Sequence, residues 1–203
     1  EQALRTRRFK KIIFSTDKSK KNLFNNIEKK KLFKNKLLFH ERNKQMLKNK
    51  FPMLPIVSHI INSELLTKVK YKYIFMIYAT AINVKKKDYI NMLNIIKKNE
   101  NKNKKYGFSV QTLTKYPAPI EWAMSLDSKN KIKINFNHKI MSSDTYKSYF
   151  YDSGVLQLFN KKYFSSKVGK KQLGYNIGKV RGIDVDDLED LYLTKSVFFN
   201  KTK

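Results

Sequence analysis

The segment from Gly169 to Gly182 carries the residue types best suited to contacting phosphate. It holds four of the six glycines of the chain, and between them lie Lys170, Lys171, Lys179 and Arg181. Glycine lets a backbone approach a phosphate closely, and lysine neutralises its charge. The segment therefore predicts a phosphate-contacting loop, and the question is whether the phosphate belongs to a nucleotide or to a nucleic acid.

The nucleotide-binding motifs fail in this segment. A Walker loop needs G-x-x-x-x-G-K followed by Ser or Thr, because the lysine reaches the outer phosphates and the hydroxyl holds magnesium. "GKKQLGY" has the glycine spacing but places Tyr175 where lysine is required, and "GYNIGKV" is one residue short and ends in Val180. The dinucleotide-binding pattern G-x-G-x-x-G is absent. We therefore expect no nucleotide hydrolysis and no bound cofactor.

An acidic cluster, Asp184 to Asp190, is the other group that could bind an ion. A calcium loop needs glycine at its sixth position, which is Glu189 when counting from Asp184. The interpretation is instead an acidic cap, formed by Asp184, on a C-terminal helix. The helix residues expected to face inward are Val185, Leu188, Leu191 and Tyr192.

The remaining reactive residue types indicate no chemistry. Cysteine is absent, which excludes disulfides, thiolate zinc sites and thiol nucleophiles. The three histidines, His40, His59 and His138, lie far apart and have no metal-ligand spacing. The sequence accordingly predicts no catalytic residue, no metal site and no enzyme.

Net charge is the strongest compositional feature. The chain has 44 Lys and Arg against 16 Asp and Glu, a net charge of +28. Such a chain calls for a polyanionic partner, most commonly nucleic acid and less commonly a membrane surface. The residues expected to contact RNA are Arg5, Arg7, Arg8, Lys10, Lys11, Lys167, Lys170, Lys171, Tyr175, Lys179 and Arg181.

Apolar periodicity predicts an α+β core. Residues 70–80 and 106–113 have strand patterns, and the helix between them turns Tyr89, Met92, Leu93 and Ile96 inward. A proline-marked excursion over 115–124 follows, then a half-buried strand over 131–136, a helix over 142–154 and a strand over 155–159. This β-α-β-β-α-β order predicts a small ferredoxin-like split β-α-β core with basic, partly helical extensions.

Three segments are expected along the chain. Residues 1–55 form a basic N-terminal extension, in which the apolar residues of 20–51 have roughly helical spacing and "FPMLP" (51–55) marks a boundary. Residues 56–160 form the α+β core. Residues 161–203 form the basic glycine-rich loop and the acidic-capped helix. No apolar run is long enough to span a bilayer.

Within Tyr73–Phe159 the chain resembles the small-subunit ribosomal protein ten family. The matching pieces are "YIFMIYA", "DYINMLNIIKK", "FSVQTL", "KYPAPIEW", "IKINFNH" and "SSDTYKSYF", with His138 at the place of the family's post-strand histidine. The segment "GKKQLGYNI" is similar to a strand of the small-subunit ribosomal protein six family. In both families the resemblance implies a ribosomal protein.

The expected function is therefore that of a structural constituent of a ribosome, in the mitochondrial matrix, as the terminal extensions are typical of mitochondrial ribosomal proteins. The expected partners are rRNA and neighbouring ribosomal proteins, with no small-molecule substrate and no transmembrane segment. Two alternatives stay open at this point: an RNA-binding module outside the ribosome, and a basic accessory subunit of a membrane-bound organellar complex.

Overall fold

The computed structural model describes residues 1–48, 51–136 and 142–199, and His138 lies outside them. The helices are α1 (Gln2–Arg5), α2 (Lys21–Glu28), α3 (Met53–Asn62), α4 (Lys86–Lys102) and α5 (Leu188–Phe199). The strands are β1 (Ile12–Thr16), β2 (Leu37–Glu41), β3 (Tyr73–Ile77), β4 (Gly107–Lys115), β5 (Met124–Leu126), β6 (Ile132–Ile134), β7 (Phe150–Asn160) and β8 (Lys170–Asn176). None of these helices has the length and hydropathy that crossing a membrane requires.

The largest sheet has four strands in the order β3-β7-β4-β8. Lys161 N donates to Lys72 O and Tyr78 N to Val155 O, so β3 and β7 run in opposite directions. Two hydrogen bonds join β4 to β7: Tyr116 N donates to Tyr149 O, and Phe108 N donates to the Asn160 side chain. Gly107 N donates to Gly169 O where β4 meets β8. The first two make β4 antiparallel to β7, which lies between β3 and β4.

The first β-α-β unit is confirmed. β3, α4 and β4 follow one another as the periodicity predicts, and the inward face of α4 is the predicted one: Tyr89, Met92, Leu93 and Ile96 are all buried. Lysines occupy the opposite face, which is the arrangement of an amphipathic helix that covers one side of a sheet. The α+β class is therefore confirmed.

The ferredoxin-like arrangement is not confirmed. The segment 142–154, which was expected to form the second crossover helix, contains only a short 3-10 turn at Ser143–Thr145 and then enters β7. Tyr149, Phe150 and Tyr151 are aromatic residues that suit an extended strand better than a helix. Residues 150–154 therefore belong to β7 and not to a second helix.

The chain is divided into two compact structural units, and each unit is built from three separate segments of the chain. The first comprises Glu1–Met76, Lys85–Ser109 and Leu158–Gln172. The second comprises Ile77–Val84, Val110–Gln157 and Leu173–Lys203, described as far as residue 199. This division does not follow the boundaries at residues 55 and 160 that composition suggested, because the main strands carry the chain back and forth.

In the first unit, the N-terminal region contains a pair of strands in addition to helices. β1 and β2 pair in parallel, with Ile12 opposite Leu37 and Ser15 opposite His40. Of the stretch expected to be helical, α2 alone is an α-helix, and its Phe24 packs against Phe39 of β2 at 5.2 Å between ring centroids. The prediction failed because short apolar runs fit a helix and a strand equally well.

The two prolines of "FPMLP" do not prevent a helix from starting there. α3 begins at Met53, with Pro52 as its N-cap and Pro55 inside its first turn. Proline is tolerated there because the first-turn N–H groups have no intrahelical acceptor.

In the second unit, the strand predicted to be half-buried is exposed. β6 pairs with β5 in an antiparallel hairpin, in which Ile132 lies opposite Leu126. Leu126, Ile132 and Ile134 are all more than 60% exposed. The alternation of apolar and polar residues correctly predicted a strand, but it did not determine whether the apolar face is covered.

Asn160 anchors the end of β7 in the first unit. It is almost fully buried, and its Oδ1 accepts hydrogen bonds from the backbone N–H groups of Phe108 and Tyr163. Its Nδ2 donates to Glu100 Oε1 at 2.8 Å. Glu100 Oε2 in turn accepts a hydrogen bond from the Tyr73 hydroxyl and lies 3.2 Å from Lys72 Nζ. The network ties β3, α4, β4 and β7 together.

Acid is expected to weaken this network. Burial alone would raise the pKa of Glu100, but the hydrogen bonds from Tyr73, Asn160 and Lys72 outweigh it and hold the pKa below the ordinary 4.5. Since the folded-state pKa is the lower one, the stabilisation is present above pH 4.5 and is lost as the pH falls through the folded-state value. In urea unfolding, Glu100→Gln should therefore have a lower free energy of unfolding than the wild type near neutral pH. The difference in unfolding free energy should become smaller as the pH falls.

The exposed Glu28 offers a control with the same charge change. Glu28→Gln should leave the unfolding free energy nearly unchanged across the same pH range. A Glu100→Gln deficit of constant size at every pH would contradict the explanation.

Candidate functional site

Half of the glycine-rich segment is strand, and the rest is loop. Residues 170–176 form β8, at one edge of the sheet. Lys170 Nζ lies 5.3 Å from the Tyr163 ring centroid and Lys171 Nζ lies 4.4 Å from that of Tyr106. These cation–π contacts pair both lysines with the protein's own aromatic rings.

The other residues expected to contact RNA fall into two groups. In the first unit, Arg5 ends α1, Arg7 has a positive φ of 57°, and Lys11 Nζ donates to Asn35 O. The remaining members of that unit, Arg8, Lys10 and Lys167, are exposed. Tyr175, Lys179 and Arg181 belong to the second unit.

Two carboxylates of the second unit meet at Gly154. Asp152 Oδ1 accepts a hydrogen bond from Gly154 N at 3.0 Å. A Cβ on Gly154 would lie 2.7 Å from Asp184 Oδ2, so the missing side chain is what makes room for that carboxylate. Gly154 has a φ of 69°, a conformation that glycine adopts without strain. β7 therefore presents Asp152 and Gly154 to the loop that carries Asp184.

Both carboxylates also act electrostatically on the Tyr78 hydroxyl. Burial, and then the negative charges of Asp152 and Asp184, raise the pKa of the Tyr78 hydroxyl above its ordinary 10.0. Tyr78 follows β3 directly, and its backbone N–H donates to Val155 O. A tyrosine beside two carboxylates stays protonated at neutral pH and is able to donate a hydrogen bond.

The carboxylate pair has the donor set of a magnesium site. Asp184 Oδ1 is buried and has no hydrogen-bond partner among the described residues. Magnesium prefers hard oxygen ligands and is usually held by one or two carboxylates together with phosphates and water. No group of three or more potential metal-ligating residues occurs within residues 1–48, 51–136 and 142–199. Asp152 and Asp184 thus fit a divalent cation.

Asp184 was expected to cap the C-terminal helix, but it does not. Asp187 does so: its Oδ1 accepts a hydrogen bond from Asp190 N at 2.9 Å, directly before α5. Leu188 and Tyr192, which were expected to face inward, are 69% and 66% exposed, whereas Thr194 is buried. The spacing indicated a helix correctly but gave no information on which acidic residue begins it.

The loop between β8 and Asp184 carries cationic groups. Lys179 is exposed and Arg181 is half-buried. Gly182 N donates to Gly178 O at 3.0 Å, and a Cβ on Gly182 would collide with Thr114 Oγ1. The turn is therefore held closely against β4, and it leads from two basic residues to Asp184 within a few positions.

Comparison with known proteins adds one finding about the fold. Over 97% of its length the chain is similar to 4-diphosphocytidyl-2C-methyl-D-erythritol synthase from Anaerococcus prevotii, with a TM-score of 0.60, 12% identity and 85% of that chain covered. At this identity the likeness shows the fold alone. No protein-family model matches the chain. No curated protein sequence matches it either.

This likeness corrects the functional expectations. The ribosomal interpretation described a small core with added extensions, whereas nearly the whole chain follows the fold of an enzyme. The predictions of a ribosomal protein, of rRNA and ribosomal proteins as partners, and of no enzyme and no small-molecule substrate are therefore wrong. The mitochondrial location stays an untested prediction.

The sequence contained Asp152 and Asp184 but no motif that links them. The glycine of "YDSG" is the one sequence signal for this site, since a glycine inside a strand often marks close approach of another group.

Replacing Gly154 with alanine should displace Asp184. We expect Gly154→Ala to lose about 1–2 kcal/mol of unfolding free energy from its positive φ, and more from the contact with Asp184 Oδ2. Gly178→Ala is the matched control, because Gly178 also has a positive φ but a Cβ there meets nothing within 4 Å. Denaturant unfolding of both variants measures the difference, and equal losses would contradict the contact.

Proposed function

We propose that the chain is an enzyme of the nucleotidyltransferase type. It would transfer the nucleotidyl group of a nucleoside triphosphate to a small phosphorylated acceptor. The observation that carries this proposal is the carboxylate pair at Gly154, with Asp184 Oδ1 buried and lacking a hydrogen-bond partner among the described residues. The name of the similar enzyme, which describes synthesis of a diphosphocytidyl derivative of methylerythritol, supports the choice of reaction.

In the proposed reaction, an oxygen of the acceptor phosphate forms a bond to the α-phosphorus. The bond between the α-phosphorus and the oxygen leading to the β-phosphorus breaks, and pyrophosphate leaves. Asp152 and Asp184 would hold magnesium, which neutralises charge on the phosphates when it is bound.

Three further residues suit the binding of anionic substrates. Lys179 and Arg181 lie on the loop that leads to Asp184, where positive charge stabilises a triphosphate. The Tyr78 hydroxyl, whose pKa is raised above 10.0 by burial and by the two carboxylates, is protonated at neutral pH and is able to donate to a phosphate oxygen. The phosphate contact predicted for the glycine-rich segment is thereby assigned to a small molecule rather than to RNA.

Magnesium-dependent nucleotide binding tests the proposal. Calorimetric titration with CTP, UTP, ATP and GTP, with and without Mg²⁺, should reveal one triphosphate whose binding requires the cation. Asp184→Asn should weaken that binding at least about tenfold, or about 1.4 kcal/mol. The control is Asp127→Asn, which makes the same charge change in the exposed turn between β5 and β6.

Release of pyrophosphate with phosphorylated polyols as acceptors measures the reaction itself. If Asp184→Asn and Asp127→Asn bind the triphosphate equally well, or if triphosphate binding is the same with and without Mg²⁺, the carboxylate pair is not the site.

A further inference from the structure

Two histidines of the first unit lie side by side. His40 is on β2 and His59 is on α3, and their ring centroids are 5.3 Å apart with the planes inclined by 67°. His40 is 5% exposed, while His59 is exposed. A buried ring next to an exposed ring gives this pair an opening to solvent.

Ser15 orients the buried ring. Its Oγ lies 3.0 Å from His40 Nδ1, and the same Oγ accepts a hydrogen bond from Arg42 Nε at 3.1 Å. The pairing of β1 with β2 sets this contact, because Ser15 and His40 are directly opposite in the register. One ring nitrogen of His40 is therefore engaged, and the orientation of the ring is fixed.

The other ring nitrogen has no such partner. His40 Nε2 is buried and forms no hydrogen bond to any described residue. Buried polar atoms are almost always satisfied, so a buried nitrogen without a hydrogen bond within the protein indicates a further partner such as an ion. A histidine held at one nitrogen by an outer hydrogen bond, with the other nitrogen unsatisfied, has the arrangement of a metal ligand.

We propose that His40 and His59 form a binding site for a borderline transition-metal dication such as Zn²⁺. Imidazole nitrogen suits Zn²⁺, Cu²⁺ and Ni²⁺, whereas Mg²⁺ and Ca²⁺ prefer oxygen. Water completes the coordination on the exposed side, beside His59. The Arg42 guanidinium donates to Ser15 Oγ, so it helps to position Ser15, which orients His40. Arg42 itself does not bind the metal. This site does not depend on the proposed nucleotidyl transfer.

Zinc titration of the full chain tests the site. Competition with a chromophoric chelator in a non-coordinating buffer should detect one Zn²⁺ per chain in the wild type. His59→Gln should weaken this binding at least tenfold, and because His59 is exposed the variant should unfold at the wild-type temperature. With Cu²⁺ in place of Zn²⁺, electron paramagnetic resonance should detect two imidazole nitrogens in the wild type and one in His59→Gln.

Two variants serve as controls. His138→Gln removes the third histidine of the chain, and Asp184→Asn removes a carboxylate of the proposed magnesium site. Both should bind Zn²⁺ as the wild type does. Full binding by His59→Gln, absence of binding in the wild type, or an equal loss in either control would overturn the proposal. Since Asp184→Asn is expected to weaken only nucleotide binding, failure of one proposal leaves the other intact.

Discussion

The hydrogen bonds of the buried Asn160 side chain are the constraint on which the end of β7 depends. Its carbonyl oxygen accepts hydrogen bonds from the backbone N–H groups of Phe108 and Tyr163, and its amide nitrogen donates to the Glu100 carboxylate. A buried amide of this kind stabilises only one pairing, because a shift by one residue would leave the same groups without partners. β7 is central in the four-stranded sheet, so its register determines what neighbouring elements can pair with it.

A second polar cluster acts along the same strand within the second unit. Thr112 Oγ1 donates to Leu156 O and accepts a hydrogen bond from Ser153 Oγ, and all three residues are buried. Gly154 follows immediately, and the carboxylates of Asp152 and Asp184 meet there. The hydrogen bonds of Ser153 and Leu156 set the register of β7 next to Gly154, and this register places the candidate site. Asp152 and Gly154 of the site lie on a strand, and strands position functional groups more precisely than loops do.

Much of the local structure could be predicted from the pattern of apolar residues. The helix α4 has seventeen residues with a clear inward stripe, and its buried residues Tyr89, Met92, Leu93 and Ile96 were predicted individually. Long, strongly periodic segments carry this information because burial on one face repeats every 3.6 residues. The short segments around Leu37 and 142–154 were misassigned, since a run of a few apolar residues fits either period.

What the sequence by itself determined is the excess of positive charge, the absence of cysteine, the α+β class and the β3-α4-β4 unit. Those features depend on composition or on neighbours within one element. The tertiary structure alone decided that Asp184 faces Gly154 rather than capping α5, and that His40 lies beside His59. Each of those pairs joins residues distant in the chain, and such contacts depend on strand pairing and packing, which leave no regular spacing in the sequence.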